Sequence, residues 1–269
     1  MILALAAAEE LTGTDTISST TISTDNNRER ILFNMISLLK SEWILYHYSI
    51  KSVYLIQHLI LEKQQIIKKN YYDRKDNTMS TWQEIEEKCL NCTRCRRCEK
   101  RHNVVFGVGN KDARILFIGE GPGEQEDLQG EPFVGRAGQL LDKMLYAVDL
   151  DRHKNVYITN IVKCRPPMNR DPQEDEQDCC IGYLREQTRL IRPKIIVTLG
   201  KIAGMRLIKP DLRITREHGA FIERKGIWMM PMLHPAALLR NPSQMEGAFN
   251  DFLILREKIK EICPDVYDN

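Results

Sequence analysis

The stretch ARILFIGEGPGEQEDLQGEPFVGRAG, residues 113–138, decides the fold. It opens with an unbroken apolar run, ILFI at 115–118, which is typical of a strand buried on both faces of a sheet. The glycine-rich GEGPG at 119–123 follows at once, and a backbone with few Cβ atoms can pass close to a ligand. Because ligands in open α/β sheets bind just beyond the carboxyl ends of the strands, we place the active site here.

A dinucleotide-binding turn is the first alternative for this glycine-rich segment. Its spacing is G-x-G-x-G, and no helix is predicted to start at Gly123, since the next amphipathic stretch begins near Ala137. The turn also carries four carboxylates, which make a poor environment for a pyrophosphate: Glu120, Glu124, Glu126 and Asp127. We reject the phosphate loop, while a tight connection without any ligand stays open.

Composition limits the partners and the compartment. The chain has 269 residues, 42% of them hydrophobic, which is sufficient for a core. The net charge of +2 gives no global attraction to nucleic acid, so any polyanion binding needs a local patch. No basic residue precedes the apolar residues 1–8, so no secretory signal is predicted and we expect a cytoplasmic protein.

Residues 1–78 differ from the rest and are predicted to be a dispensable extension. The segment 11–27 is rich in Thr, Ser and Asp and is predicted to be disordered, with helix following. The segment 43–61 is long enough to cross a membrane, but an amphipathic helix and no membrane association are favoured. Four polar residues interrupt that segment: His47, Lys51, Gln57 and His58. Met79 is the predicted natural start, which gives a second domain at 79–269.

Cysteine usage indicates a metal site. Four of the eight Cys follow one another at x2 spacing: Cys89, Cys92, Cys95 and Cys98. In a cytoplasmic chain such clustering favours metal over disulfides. The run lacks both the second CxxC expected for zinc and the ferredoxin-type ending, so ligands from elsewhere in the chain are expected. Six basic residues are interleaved with it or follow it, as a solvated face or a phosphate-contacting patch: Arg94, Arg96, Arg97, Lys100, Arg101 and His102.

Three further buried strands are predicted at 156–162, 194–199 and 227–233, alternating with helices. The predicted fold is therefore α/β, with three α/β/α layers and a central four-stranded parallel sheet. The carboxyl ends of its strands would bring together the turn at 120–123, Asn160, Gly200 and His234.

Asn160 and Phe133 are unusual residue types for the positions they are predicted to occupy near these strand ends. Asn is disfavoured inside strands, so Asn160 either bonds to backbone or presents the donor and acceptor that the edge of a nucleobase requires. Phe133 lies between glycines and is either a core plug or a stacking platform for a flat ring.

Five blocks of sequence together resemble the type-4 uracil-DNA glycosylases, which carry an iron–sulfur cluster. They are GEGPGEQED (119–127), GEPFVGRAGQLL (130–141), YITNIVKCRPPMNR (157–170), IRPKIIVTLG (191–200) and HPAALLR (234–240). The resemblance covers about 79–262 and implies a monomeric enzyme acting on uracil-containing DNA. Such an enzyme hydrolyses the N-glycosidic bond, releases free uracil and leaves an abasic site.

The resemblance also implies a [4Fe–4S] cluster held by four thiols. Its ligands would be Cys92, Cys95, Cys164 and Cys180, where the offset to the LREQ segment favours Cys180 over Cys179. Cys89, Cys98 and Cys179 are then extra.

The resemblance assigns a role to each pocket residue. Phe133 would stack on uracil, and Asn160 would pair with N3–H and O4, which rejects cytosine. His234, with the backbone amides of Glu120 and Gly121, would stabilise the negative charge that develops at O2.

Water placement and DNA contact complete the implied site. Related enzymes have an Asp at the position of Gly121, so Glu126 with Asn169 is the predicted pair for positioning water. Leu238, Leu239 and Arg240 would wedge into the duplex where the base leaves. The alternative from another class is a non-catalytic iron–sulfur or zinc module that binds nucleic acid.

Overall fold

The computed structural model describes residues 80–268, and within them six strands form one sheet. The strands, in chain order, are β1 (Val108–Gly109), β2 (Ile115–Gly119), β3 (Val156–Asn160), β4 (Ile195–Leu199), β5 (Ile222–Arg224) and β6 (Ile227–Met232). Their spatial order is β1-β3-β2-β4-β6-β5.

The middle of the sheet is parallel and its two edges are antiparallel. β3, β2, β4 and β6 pair in parallel, as the sequence predicted. The predicted total of four strands is wrong, because β1 pairs antiparallel with β3 and β5 pairs antiparallel with β6. These edge strands have two and three residues, too few for a hydrophobic period to indicate them.

Helices cover both faces of the sheet. In chain order they are α1 (Trp82–Leu90), α2 (Glu124–Gln129), α3 (Arg136–Tyr146), α4 (Glu174–Ile191), α5 (Lys201–Leu207), α6 (Ile214–Glu217), α7 (Pro235–Arg240) and α8 (Met245–Ile262). One core cluster joins the sheet to α3, α7 and α8, and the other joins it to α4 and α5. The three-layer arrangement follows from these two clusters.

β2 is the central strand of this core. All five of its residues are buried. Ile115 and Phe117 belong to one cluster, whereas Leu116 and Ile118 belong to the other, because successive side chains point to opposite faces. The unbroken apolar run was the correct signal for a strand covered on both sides.

Two helix starts show how capping works in this chain. Thr81 caps α1, since its hydroxyl accepts from Glu84 N while the Glu84 carboxylate accepts from Thr81 N. The prediction that no helix starts at Gly123 is wrong. The short helix α2 begins at the next residue, and the Glu126 carboxylate accepts from Gly123 N at 3.1 Å.

Several predictions fall on residues that the structure does not describe. The extension at 1–78, with its disordered and helical parts and the apolar segment 43–61, lies outside 80–268. Among the residues described, no helix has both the length and the apolar character needed to cross a membrane.

Candidate active site

The parallel strands end at one edge of the sheet and bring the predicted site residues together. Gly119 of β2 lies opposite Asn160 of β3 in the ladder. At the end of β4, Gly200 N donates to Met232 O, the last residue of β6, at 2.8 Å. His234 follows two residues later, and a Cβ atom on Gly200 would lie 3.0 Å from the Cβ of His234.

Gly119 is the point at which the two sides of the site meet. A Cβ atom placed on it would lie 2.3 Å from Asn160 Oδ1 and 2.6 Å from Phe133 Cζ. The Phe133 ring in turn stacks near His234, with centroids 5.6 Å apart and planes inclined by 29°. Because Gly119 has no Cβ atom, the Phe133 ring and the Asn160 amide can both approach it closely, and the Phe133 ring extends this contact to His234.

Phe133 reaches this position through an uncommon backbone conformation. Its φ is 55°, which a bulky residue rarely adopts without external support. Arg152 supplies the support, since its guanidinium donates to the carbonyl oxygens of Phe133 and Pro132 and to Glu131 Oε1. Sequence reasoning missed Arg152, because nothing near residue 152 indicates a partner twenty residues earlier.

Asn160 has an unsatisfied polar atom in the interior. The residue is 1% exposed, and its Oδ1 has no hydrogen-bond partner within the described part of the chain. A buried acceptor without a partner costs about 1–3 kcal/mol. Such an atom next to a space between strand ends is suited to accept a donor from a ligand.

His234 is held in one tautomer and in its neutral form. It is the N-cap of α7, and its Nδ1 accepts from Ala236 N at 3.1 Å, so the ring proton of the neutral form lies on Nε2. Burial, with the positive charge of Arg240, lowers the pKa of His234 to about 4. At neutral pH the ring is therefore an uncharged Nε2–H donor.

The Glu126 carboxylate ties the glycine-rich turn to the loop after α2. Its Oε1 accepts from Val134 N and Gly135 N, both at 2.9 Å, and its Oε2 accepts from Gly123 N. The other predicted water-positioning residue, Asn169, accepts from Arg165 Nε at 2.7 Å. Within residues 80–268 no hydrogen bond joins Glu126 to Asn169.

Glu120 and Gly121 form the turn directly after β2. Burial, followed by repulsion from Asp171, raises the pKa of Glu120 to about 7. A Cβ atom on Gly121 would lie 2.6 Å from Val162 Cγ2, so the chain passes too close here for a larger residue. Gly121 has no side chain to offer a water molecule, and a side chain there would require Val162 to move.

The predicted DNA-contacting residues at 238–240 divide into two groups. Leu239 is 38% exposed and Arg240 is exposed. Leu238 is 1% exposed and packs in the core cluster, so its prediction as a wedge is wrong. Leu238 lies on the face of α7 that packs against the core, whereas Leu239 and Arg240 lie on its solvent side.

Six of the eight cysteines line one small cavity on the α4 side of the sheet. The four predicted ligands, Cys92, Cys95, Cys164 and Cys180, are among them. Cys89 and Cys179 line the same cavity, whereas Cys98 does not. The structure thus brings together thiols from three separate stretches of the sequence.

Two of the interleaved basic residues support this cavity. Arg97 is 3% exposed and donates to the carbonyl of Cys164 at 3.0 Å. Arg101 donates to the carbonyl of Cys92 at 2.7 Å and lies 3.5 Å from Cys164 Sγ. For Arg97 both sequence interpretations, a solvated face and a phosphate contact, are therefore wrong.

The groups that line this cavity are thiols, which are the ligands that iron–sulfur clusters use. No three Cys, His, Asp or Glu residues in the described range lie close enough together to chelate a single metal ion. A [4Fe–4S] cluster instead uses one thiolate for each iron, which requires ligands spread around a cavity. Burial raises the pKa of Cys164 to about 11, and a bound metal would deprotonate it.

Comparison with known proteins identifies the family. The model of the uracil DNA glycosylase superfamily matches residues 106–256. The type-4 uracil-DNA glycosylase of Archaeoglobus fulgidus is 42% identical over 202 residues, which cover 71% of this chain and 99% of that protein. The type-4 enzyme of Thermotoga maritima is 45% identical over 161 residues, which cover 59% of this chain and 83% of that protein. The chain therefore belongs to the uracil-DNA glycosylase superfamily and, within it, to the type-4 family.

Proposed function

We propose that this chain is a uracil-DNA glycosylase that hydrolyses the N-glycosidic bond of uracil in DNA. It releases free uracil and leaves an abasic site, the first step of base excision repair. The observation that carries the proposal is the unpaired, buried Oδ1 of Asn160 at the same edge of the sheet as the neutral imidazole of His234. The Phe133 ring, which lies near both the Asn160 amide and the His234 ring, would stack on one planar pyrimidine.

Base recognition follows from the donor and acceptor pattern of the amide. The target nucleotide must first be rotated out of the helix, at a cost of a few kcal/mol. Asn160 Oδ1 then accepts from N3–H of uracil while its Nδ2 donates to O4, and Phe133 stacks on the ring. Cytosine has an acceptor at N3 and a donor at C4, so it leaves both groups unpaired, which is worth discrimination of about 10⁴.

Bond cleavage leaves negative charge on the base, and His234 is placed to stabilise it. Its Nε2–H donates to O2 of the departing uracil. A fixed donor of this kind contributes about 3–4 kcal/mol to the transition state. The backbone amides of Glu120 and Gly121 assist at the same face of the base.

A water molecule then attacks C1′ of the sugar. Glu126 with Asn169 is the pair proposed to position it. The three amide hydrogen bonds to Glu126 fix the direction of its carboxylate. On the DNA side, Leu239 and Arg240 at the end of α7 are the groups proposed to contact the duplex.

Four cysteines are proposed to hold a [4Fe–4S] cluster: Cys92, Cys95, Cys164 and Cys180. When bound, the cluster would act as a structural cross-link between the segment before β1, the loop after β3 and the helix α4. The residues proposed for base recognition and bond cleavage do not include these thiols. We further propose that the active unit is a monomer formed by 79–269.

The test is base release from defined oligonucleotides. Iron-loaded protein is incubated with a strand that contains one uracil and with a matched strand that contains thymine. Free uracil and an alkali-labile site from the first strand only are expected. If neither strand is cut while DNA still binds with salt-dependent affinity, the chain is a non-catalytic module. Metal analysis then distinguishes iron from zinc.

A further inference from the structure

A lysine is buried between the cysteine cavity and the base-recognition residue. Lys163 is 1% exposed. Its Nζ donates to Thr159 Oγ1, to Asn160 O at 2.9 Å and to Gln187 Oε1 at 2.7 Å. An ammonium group has three N–H donors and no acceptor, so this set of three oxygens satisfies it completely.

Two of the three acceptors, Thr159 and Gln187, are oriented by bonds on their far side. The Thr159 hydroxyl donates to Phe106 O at 2.8 Å, and Gln187 Nε2 donates to the same oxygen at 2.9 Å. The remaining lone pairs of Thr159 and the Oε1 of Gln187 therefore face Lys163. A network with every member satisfied is rigid, because no group can rotate without losing a partner.

The other end of Lys163 contacts the cysteine cavity. Its backbone N donates to Cys180 Sγ at 3.3 Å, the next residue is Cys164, and Lys163 itself lines the cavity. The same residue thus contacts a proposed cluster ligand through its backbone and the carbonyl of Asn160 through its side chain.

We propose that Lys163 is a positioning residue that links the cysteine cavity to the amide of Asn160. The inference rests on the proposed function and concerns how its two sites cooperate. The ammonium fixes the backbone carbonyl of Asn160, and with it the direction of the side chain that reads uracil. The positive charge of the same residue, which lines the cavity, would favour the thiolate form of the ligands there, because a nearby cation favours an anion.

Replacing Lys163 by methionine removes the charge and keeps a side chain of similar length. Iron loss from the loaded Lys163→Met protein to the chelator bathophenanthroline is expected to be about 10-fold faster than from the wild type. Single-turnover uracil release is expected to be slower by about 10-fold or more, since Asn160 loses its anchor. If Lys163 only packed against Asn160, its replacement would slow uracil release without changing the rate of iron loss. A parallel change in both rates therefore indicates the linking role.

Two threonines provide a matched pair of milder variants. Thr159 and Thr198 are both fully buried and both lie opposite Ile118, on the two strands that flank β2. Thr159 belongs to the lysine network, whereas Thr198 Oγ1 has no partner in the described residues. Thr159→Val is expected to slow uracil release while iron loss stays as in the wild type, because Lys163 keeps its charge. Thr198→Val is expected to change neither.

The outcomes separate this inference from the proposed function. A wild-type protein that binds no iron or releases no uracil contradicts the proposed function itself. If the wild type is active and Lys163→Met matches it in both measurements, the inference is wrong. Should Lys163→Met not fold, equal rates of uracil release by Thr159→Val and Thr198→Val overturn the inference.

Discussion

At residue 234, one backbone bond and burial together determine the chemistry of the ring. The amide of Ala236 occupies Nδ1, and burial favours the uncharged form. An uncharged ring with its proton on Nε2 can donate to an anionic oxygen without itself needing a counterion. This is the property that the proposed reaction requires, because the charge appears on the base only as the bond breaks.

Nitrogen NMR of the histidine rings tests this directly. We expect His234 to remain neutral, with the proton on Nε2, from about pH 8 down to about pH 5, because its pKa lies near 4. His153, which is exposed, supplies the reference ring signal of a solvent-accessible histidine in the same spectra. An imidazolium signal for His234 at about pH 6 would show that the assigned state is wrong.

Glu120 gives a second pH-dependent prediction. Its pKa is raised from 4.5 to about 7, so the folded state binds the proton more tightly than the unfolded chain. The resulting stabilisation is fully present below about 4.5 and is lost as the pH rises through 7. Glu120→Gln removes this dependence. Thermal melting from about pH 5 to about pH 8 is expected to show the wild type losing stability relative to the variant, and parallel curves would contradict the assignment.

At the level of single residues, the sequence indicated a position correctly where the residue type was unusual for its predicted secondary structure. Asn160 stood out because amides are rare in strands, and the structure places it at the strand end, buried and unpaired. The tie made by Glu126 could not be foreseen, since its partners are backbone amides, which have no sequence signature. The burial of Arg97 could not be predicted from the sequence either, because its partners are backbone carbonyl groups.

At the element scale, the turn between β2 and α2 controls the site. Two of its glycines are in close contact with other parts of the chain. Gly119 is close to Phe133 and Asn160, and Gly121 is close to Val162. The helix α2 then begins at once, and the amide of its N-cap residue Gly123 donates to the Glu126 carboxylate. An internal carboxylate thus satisfies one backbone amide at this helix start.

Gly119→Ala is the sharpest substitution at this scale. The added methyl group would overlap Asn160 Oδ1 and the Phe133 ring, so both must move. We expect uracil release to fall by about 10²-fold while the far-ultraviolet circular dichroism stays unchanged. Gly247→Ala on α8 is the matched control, because its methyl group would meet only His218, at 3.8 Å. Equal activity of the two variants would contradict the close approach.

Elements were predictable from sequence in proportion to their length and burial. β2, β3, β4 and β6 each gave a clear apolar run. The helix α2 has six residues, four of them charged or amide side chains in its first turn, and no apolar period to reveal it. The edge strands exist because they pair with longer neighbours, and that information is not local.

At the scale of the whole molecule, one parallel sheet builds two sites from distant parts of the sequence. Its strand ends gather Phe133, Asn160 and His234, while thiols from before β1, after β3 and within α4 meet beside it. The order of the strands makes this possible, since β3 lies between β1 and β2 in the sheet. The sequence predicted both groupings but could not reveal that Lys163 lies between them.

The proposed division of the chain at Met79 is testable by shortening it. A protein that begins at Met79 is expected to retain iron and to release uracil at a rate within about twofold of the full chain, because the superfamily match lies wholly at 106–256. The two proteins are compared at equal iron content. A large loss of uracil release on shortening would show that 1–78 contributes to the active unit.

The central claim is that His234 and Asn160 act together on one extruded uracil. Its most direct test is single-turnover uracil release by His234→Ala and Asn160→Ala, with His153→Ala as the control. We predict losses of about 10²–10³-fold for each of the first two and no change for the third. Uracil release at the wild-type rate by either His234→Ala or Asn160→Ala would contradict the account.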